Sequence, residues 1–218
     1  MKKVMIILTV AVFMLLLIGE GAQAATITLM SDASTLGAAV PTSIPGADFP
    51  GPPLTAADAA GLTFSPVILD SLGTNTPVPP GAPAGTQVIN IPGGSYYKGE
   101  SGFFEMTFTL PAGLSNLSLS GAGNVDDNGT VFLNGNAITS TDGLTEGGNA
   151  TFSTANSSFF RVGLNTILIS DENYGGYPSG GAFYANISYT AVPLPGAFWL
   201  LGSGLIGLVG LRRKLRTS

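Results

Sequence analysis

Residues Phe103 to Leu110 read F-F-E-M-T-F-T-L, with Phe104, Met106, Phe108 and Leu110 on one side and Glu105, Thr107 and Thr109 on the other. A period of two is what a strand with one buried face requires; a helix would place its apolar residues three and four apart. This stretch therefore commits the centre of the chain to a β-sheet that needs a second layer to cover it. The surrounding sequence repeats the demand. Ala25 to Met30 alternates polar and apolar residues, and Val88, Ile89 and Ile91 form a short run. Leu114, Leu117 and Leu119 follow the Pro111-Ala112-Gly113 turn, and Thr130 to Leu133 is closed by Asn134-Gly135. Asn-Gly between apolar runs is a hairpin signal, because both residues tolerate positive φ; Ala137 to Thr139 is the expected return strand. Phe152 and the pair Phe159-Phe160 mark further short strands. Gly163 to Ser170 and Ala182 to Tyr189 supply the last two. Eight to ten short strands with turn signals between them predict an all-β sandwich or jelly roll.

The N-terminal third is less regular. Pro41 to Pro53 holds five prolines and two glycines and is expected as a loop. Leu62 to Leu69 contains β-formers interrupted by Pro66, which suits an edge strand or two short pieces. Residues 74–86 carry Pro77, Pro79, Pro80 and Pro83 and read as a Pro-rich loop. The expected domain is 25–191, with its core in 87–190. Residues 25–75 alone are too poor in apolar side chains for an independent core.

Charge and missing residue types narrow the chemistry. Between Ala25 and Ala191 twelve acids stand against two bases, Lys98 and Arg161, leaving −10 in the middle of a chain whose net charge is −5. Such a surface repels phosphate backbones, so nucleic acid is not expected as a partner, whereas cations and neutral glycans are compatible. The chain has no Cys and no His. Disulfides, zinc sites built on Cys or His, and a Ser-His-Asp triad are excluded. An enzyme would have to rely on paired carboxylates, and the sequence does not show that any of Glu100, Glu105, Asp126, Glu146 and Glu172 meet; the expectation is a non-catalytic protein.

The two ends are apolar and oppositely arranged. Lys2 and Lys3 precede an apolar run from Val4 to Ile18, followed by Gly19, Glu20 and Gly21 and then by Ala22-Gln23-Ala24. That order predicts a signal peptide over residues 1–24, cut by signal peptidase before Ala25, with an uncleaved anchor as the alternative. At the other end Gly196 to Leu211 carries no charge and ends at Arg212-Arg213-Lys214-Leu215-Arg216. Sixteen helical residues rise about 24 Å, just short of a ~30 Å hydrocarbon core, and snorkelling basic side chains make up the difference. A transmembrane helix over 196–211 with its basic end in the cytoplasm is expected.

These residues carry a resemblance. Val192-Pro193-Leu194-Pro195, then Trp199-Leu200-Leu201-Gly202-Ser203-Gly204-Leu205, Gly207-Leu208 and Arg212-Arg213-Lys214, resemble a PEP-CTERM sorting tail of the VPLP type over residues 192–218. Pro193-Leu194-Pro195 stands where the namesake has Pro-Glu-Pro, and a plain anchor is the alternative. The resemblance implies export in a Gram-negative bacterium, processing by an exosortase-type protease, and association with exopolysaccharide or biofilm matrix. It implies either envelope anchoring through the helix or release after processing. A second resemblance lies in the middle. Phe104 to Pro111, Asp126-Asp127-Asn128-Gly129-Thr130-Val131-Phe132-Leu133-Asn134-Gly135, Gly163 to Leu168 and Gly180 to Tyr189 are similar to galactose-binding-like jelly-roll domains. That likeness implies carbohydrate binding, which a fold alone does not establish.

Two stretches offer polar chemistry. Asp126, Asp127 and Asn128 supply oxygen ligands of the kind calcium accepts, without EF-hand spacing; the alternative is Asx residues bonding their own turn. No other cofactor is expected. Asp171, Glu172, Asn173, Tyr174 and Tyr177, together with Tyr96 and Tyr97, combine carboxylates, an amide and aromatic planes suited to sugar hydroxyls and ring faces; an ordinary long loop is the alternative. The function expected is a sorted surface or matrix protein that binds polysaccharide, or else a self-associating structural component without glycan binding.

Overall fold

The computed structural model describes residues 22–41, 53–69, 76–92, 101–138, 144–145, 149–173, 180–192 and 204. Among them the first strands are β1 (Gln23–Met30), β2 (Leu36–Ala39), β3 (Ser65–Pro66), β4 (Ile68–Leu69) and β5 (Ile89–Asn90). The long strands β6 (Gly102–Leu110) and β7 (Leu114–Val125) follow, then β8 (Asn128–Gly129), β9 (Val131–Leu133), β10 (Asn136–Ile138), β11 (Leu144–Thr145) and β12 (Ala150–Thr154). A single 3-10 turn, Ser157–Phe159, precedes β13 (Gly163–Asp171) and β14 (Gly180–Ala191).

Two sheets form a sandwich. One runs β12-β7-β14-β5-β4 with β1 also paired to β14, and the other runs β10-β9-β13-β6-β2-β3. From β6 onward the chain passes back and forth between the sheets (β6 in the second, β7 in the first, β9 and β10 in the second, β12 in the first, β13 in the second, β14 in the first), a jelly-roll-like path. Contacts divide the chain into Ala25–Tyr189, which is this sandwich, and a second unit made of Met1–Ala24 and Thr190–Ser218. The described residues of the second unit are 22–24, 190–192 and 204.

The alternation in β6 does what its period demands. Phe104, Met106, Phe108 and Leu110 are buried with Ile167 and Ile169 of β13, Leu133 of β9 and Phe183 and Ile187 of β14. The Phe104 and Phe183 rings meet across the sheets at 5.5 Å between centroids, tilted by 50°. Each such side chain contributes roughly 1.5–3 kcal/mol of burial. The opposite face of β6 also has a cover at one end. Phe103 and Phe132 are buried under Leu54 and Ala59, with Leu62, Phe64 and Leu168 packed against them. Residues 53–64 thus form a strap over the outside of the second sheet. Its turn is held by Asp58, whose Oδ2 accepts from Thr55 N at 2.8 Å and Thr55 Oγ1 at 2.7 Å.

Several expectations need correction. Phe159 and Phe160 are not a strand: Ser157–Phe159 is a 3-10 turn whose cap, Asn156, accepts from Ser158 N. β2 was invisible because Leu-Gly-Ala-Ala has no alternation or β-branching to signal a strand. β7 extends past Leu119 to Val125 through Gly121 and Gly123. Neither glycine has room for a side chain: a Cβ on Gly121 would collide with Tyr184 O and the Phe152 ring, and one on Gly123 with Phe183. They are there so that neighbouring strands can approach. The N-terminal third joins the same sandwich, with β1 in one sheet and β2 and β3 in the other.

Candidate functional site

The polar stretch after β7 and the polar end of β13 were singled out separately in the sequence, and the fold puts them together. Asp127 N and Asn128 N both donate to Glu172 O, at 3.2 and 3.3 Å, and Glu172 N donates to Asn128 O at 2.7 Å. Asp126 N donates to Gly180 O at 3.0 Å, which ties the same turn to the start of β14. The approach depends on Gly129, where a Cβ would meet Ser170 O and Val125.

The side chains complete a knot. Glu172 Oε1 accepts from Leu54 N at 2.8 Å, and Oε2 lies 3.4 Å from Asn128 Nδ2, which donates to it. Asn173 N donates to Ser101 Oγ at 3.3 Å. Asp171 pairs with Gly102 in the β6–β13 ladder. Asp171 is 0%, Glu172 2% and Asn173 4% exposed, while Asp126, Asp127 and Asn128 are half-buried. A buried carboxylate is tolerable when backbone and amide donors meet it, and Glu172 has both. Its work here is to fasten the strap to the sandwich.

Each predicted residue can now be placed. Asp126 and Asp127 stand in the turn after β7 and Asn128 opens β8, engaged with Glu172 and Gly180. Among the described residues no group of three or more Asp or Glu side chains is arranged to hold a metal ion; Asp127 N, Asn128 N and the Asn128 amide are directed at Glu172. Asp171, Glu172 and Asn173 are turned inward. Tyr96, Tyr97, Tyr174 and Tyr177 lie outside the described residues. Of the tail, Val192 is exposed, and Pro193, Leu194, Pro195, Arg212, Arg213 and Lys214 lie outside the described residues. So do residues 1–21, and residues 196–211 apart from Gly204. Among the described residues no helix is long and apolar enough to cross a membrane.

A second polar centre, missed as such, joins the two motifs behind the jelly-roll resemblance. Asn134 of the Asn-Gly turn and Asn165 of β13 bond directly, Nδ2 to Oδ1, at 2.8 Å. Asn134 also donates to Phe159 O at 2.8 Å and accepts from Thr166 N at 3.0 Å.

Residues 191–214 match the PEP-CTERM protein-sorting motif. The motif marks an exported protein sorted to the cell surface by an exosortase-type system, and it begins at the last residue of β14. No curated protein matches the chain. Among solved structures, a β-glucuronidase of Ruminococcus gnavus is 16% identical with a TM-score of 0.41, over 77% of this chain and 29% of that one. A putative β-galactosidase of Bacteroides fragilis is 15% identical with a TM-score of 0.40, over 75% and 23%. A β-D-glucuronidase of Dictyoglomus thermophilum is 13% identical with a TM-score of 0.35, over 77% and 29%. The chain spans less than a third of the length of these proteins.

Proposed function

We propose that the chain is a non-catalytic surface or matrix protein whose sandwich binds extracellular polysaccharide after delivery by its two ends. Residues 1–24 act as the signal peptide removed by signal peptidase, and 196–211 span the membrane with Arg212, Arg213 and Lys214 on the cytoplasmic side. The exosortase-type protease acts at the Val192-Pro193-Leu194-Pro195 segment. The observation that carries the reading is continuity: the sorting motif starts at residue 191, where β14 ends, with no spacer between folded domain and tail.

One candidate carboxylate pair, Glu105 and Glu172, is set apart by the fold. Glu172 is committed to Leu54 N and Asn128. Glu105 faces Leu168 in the β6–β13 register, four residues before Glu172. That is about 13 Å along the strand, beyond the ~5–9.5 Å at which glycosidase carboxyl pairs work.

Mass spectrometry of both termini of the protein from its native cell, with a polysaccharide array probed by the full chain in detergent, tests the reading. A mature N-terminus at Ala25, a C-terminus cut near Pro193–Pro195 and retention of polysaccharide are expected. A chain with Met1 attached, found in the cytosol, overturns delivery. Silence across the array overturns glycan binding and leaves self-association; the β6 edge from Met106 to Leu110, which no described strand covers, favours that second reading.

A further inference from the structure

The strand β2 pairs with β6 only from Gly102 to Glu105. Beyond that point the sandwich is open along one side. There a groove of about 450 Å³ lies between Thr28 to Met30 of β1 and Glu105 to Thr107 of β6, closed at one end by Asp32 to Leu36 as the chain crosses between sheets. This volume is within the range of small-ligand sites.

The chemistry of its lining is lopsided. Asp32 and Glu105 contribute carboxylates, Thr28, Ser34, Thr35 and Thr107 contribute hydroxyls, and among the described residues no basic side chain lines it. Asp32 Oδ1 is occupied by Ser34 N at 2.7 Å and Ser34 Oγ at 2.5 Å, so the turn holds this carboxylate in place and leaves Oδ2 for a ligand. Glu105 is different. Among the described residues its carboxylate has no hydrogen bond or ion pair, although it is half-buried. Burial raises its pKa, with no partner to offset the cost. A carboxylate kept partly out of water without a partner is a place where an incoming cation gains most.

We infer that this groove is a saccharide subsite for an amino sugar, whose ammonium group is taken by Glu105 and Asp32 and whose ring hydroxyls meet the Thr and Ser hydroxyls. The assignment rests on the glycan-binding reading above and gives it a place and a ligand class. The acidic balance of the domain, with Lys98 and Arg161 its two bases, favours the same partner. The shared chemistry is a primary ammonium beside hydroxyls, which separates an amino sugar from a neutral glycan and from a simple polyamine.

The test is calorimetric titration of the full chain in detergent with a glucosamine hexamer, its fully N-acetylated counterpart and spermidine. Glu105→Gln removes the unpartnered charge. Asp32→Asn keeps the oxygen that holds the 31–35 turn while removing the second charge. Binding of the glucosamine hexamer is expected, weakened ~10-fold or more by Glu105→Gln and by Asp32→Asn, with the N-acetylated hexamer at least ~10-fold weaker. Added salt weakens it further. If both hexamers bind alike, or the variants bind as the parent does, the groove assignment falls while the glycan reading stands. Spermidine binding as well as the hexamer overturns the saccharide part of the inference. No binding of any saccharide, here or on the polysaccharide array, overturns both.

Discussion

Asn134 Nδ2 donates to Asn165 Oδ1 at 2.8 Å, joining two turns that are 31 residues apart. Asn165 is fully buried and uses both ends of its amide. Its Oδ1 also accepts from Arg161 N at 2.8 Å, and its Nδ2 donates to Arg161 O at 2.8 Å and Gly163 O at 2.9 Å. Removing it takes a partner from the backbone groups of Arg161 and Gly163 as well as from the Asn134 amide. Asn165→Ala is expected to cost about 1–3 kcal/mol, more than one lost bond, because several bonds and a buried side chain are lost together. Asn165→Asp keeps the acceptor and loses both donors, so it should fall between parent and Ala. Urea denaturation of the three proteins ranks them; equal midpoints would show that the network contributes nothing.

Glu172 offers a local rather than global readout. Its Oε1 accepts from Leu54 N at 2.8 Å, across 118 residues of chain. The strap that begins at Leu54 covers Phe103 and Phe132. Glu172→Ala is expected to loosen residues 53–64, with amide exchange at Leu54 rising ~10-fold or more, whereas β6 and β13 exchange more nearly as before. Glu172→Gln keeps an oxygen for Leu54 N and should retain most of the protection. Hydrogen exchange read by mass spectrometry on peptides covering 53–64 distinguishes them.

The groove gives a pH dependence with a definite sign. Burial raises the folded-state pKa of Glu105, so the folded protein holds that proton more tightly than the unfolded chain does. Above the raised value the ionised carboxylate weakens the fold. As pH falls through the folded value towards the unfolded one, that penalty is relieved, and the gain is complete below the unfolded pKa. The groups beside it are Asp32 from the β1–β2 turn, Thr28 of β1, Leu36 of β2 and Leu168 of β13, none of them a cation. Glu105→Gln should therefore be more stable than the parent at pH 7, with the difference shrinking on acidification. Subtracting the two urea midpoints across pH isolates this group; a difference that grows towards low pH contradicts the assignment.

Much of this was legible beforehand, and the failures have physical reasons. The β6 alternation named its own core face, and Asn134-Gly135 formed its turn with φ of 50° and 84°. The stretches 126–128 and 171–173 were recognised as polar and special, but not as partners. Their pairing is made by backbone groups, which a sequence does not display. Glu172 read as a sugar contact because a carboxylate in a Gly-rich neighbourhood looks exposed; only the strap, itself without a periodic signal, shows why it is buried. The groove escaped notice for a related reason. Asp32 and Glu105 are 73 positions apart, and what brings them to one cleft is where β2 begins, a boundary that Leu-Gly-Ala-Ala does not advertise. Gly121 is a contact that the sequence alone does not display. Its missing side chain is the condition for Tyr184 and Phe152 to pack, so Gly121→Ala should destabilise by about 1–3 kcal/mol or more despite replacing a poor strand former.

The tail should be separable from the fold. Ala25–Tyr189 is compact on its own contacts, and the sorting motif begins at residue 191. Ending the chain after Ala191 removes no residue of the sandwich core, so its urea midpoint should match that of the full chain in the same detergent. The destination, in contrast, should change. A chain with its N-terminal segment but without 192–218 is expected in the medium or periplasm instead of held at the surface. Replacing Pro193 and Pro195 by Ala leaves the apolar run and its basic end in place while altering the segment ahead of them. If the exosortase-type protease reads that segment, this variant stays in the membrane at full length, and the truncated chain does not. Immunoblotting of cell fractions separates the outcomes. Normal processing of the Ala variant would move the recognition into the apolar run or the Arg212-Arg213-Lys214 cluster.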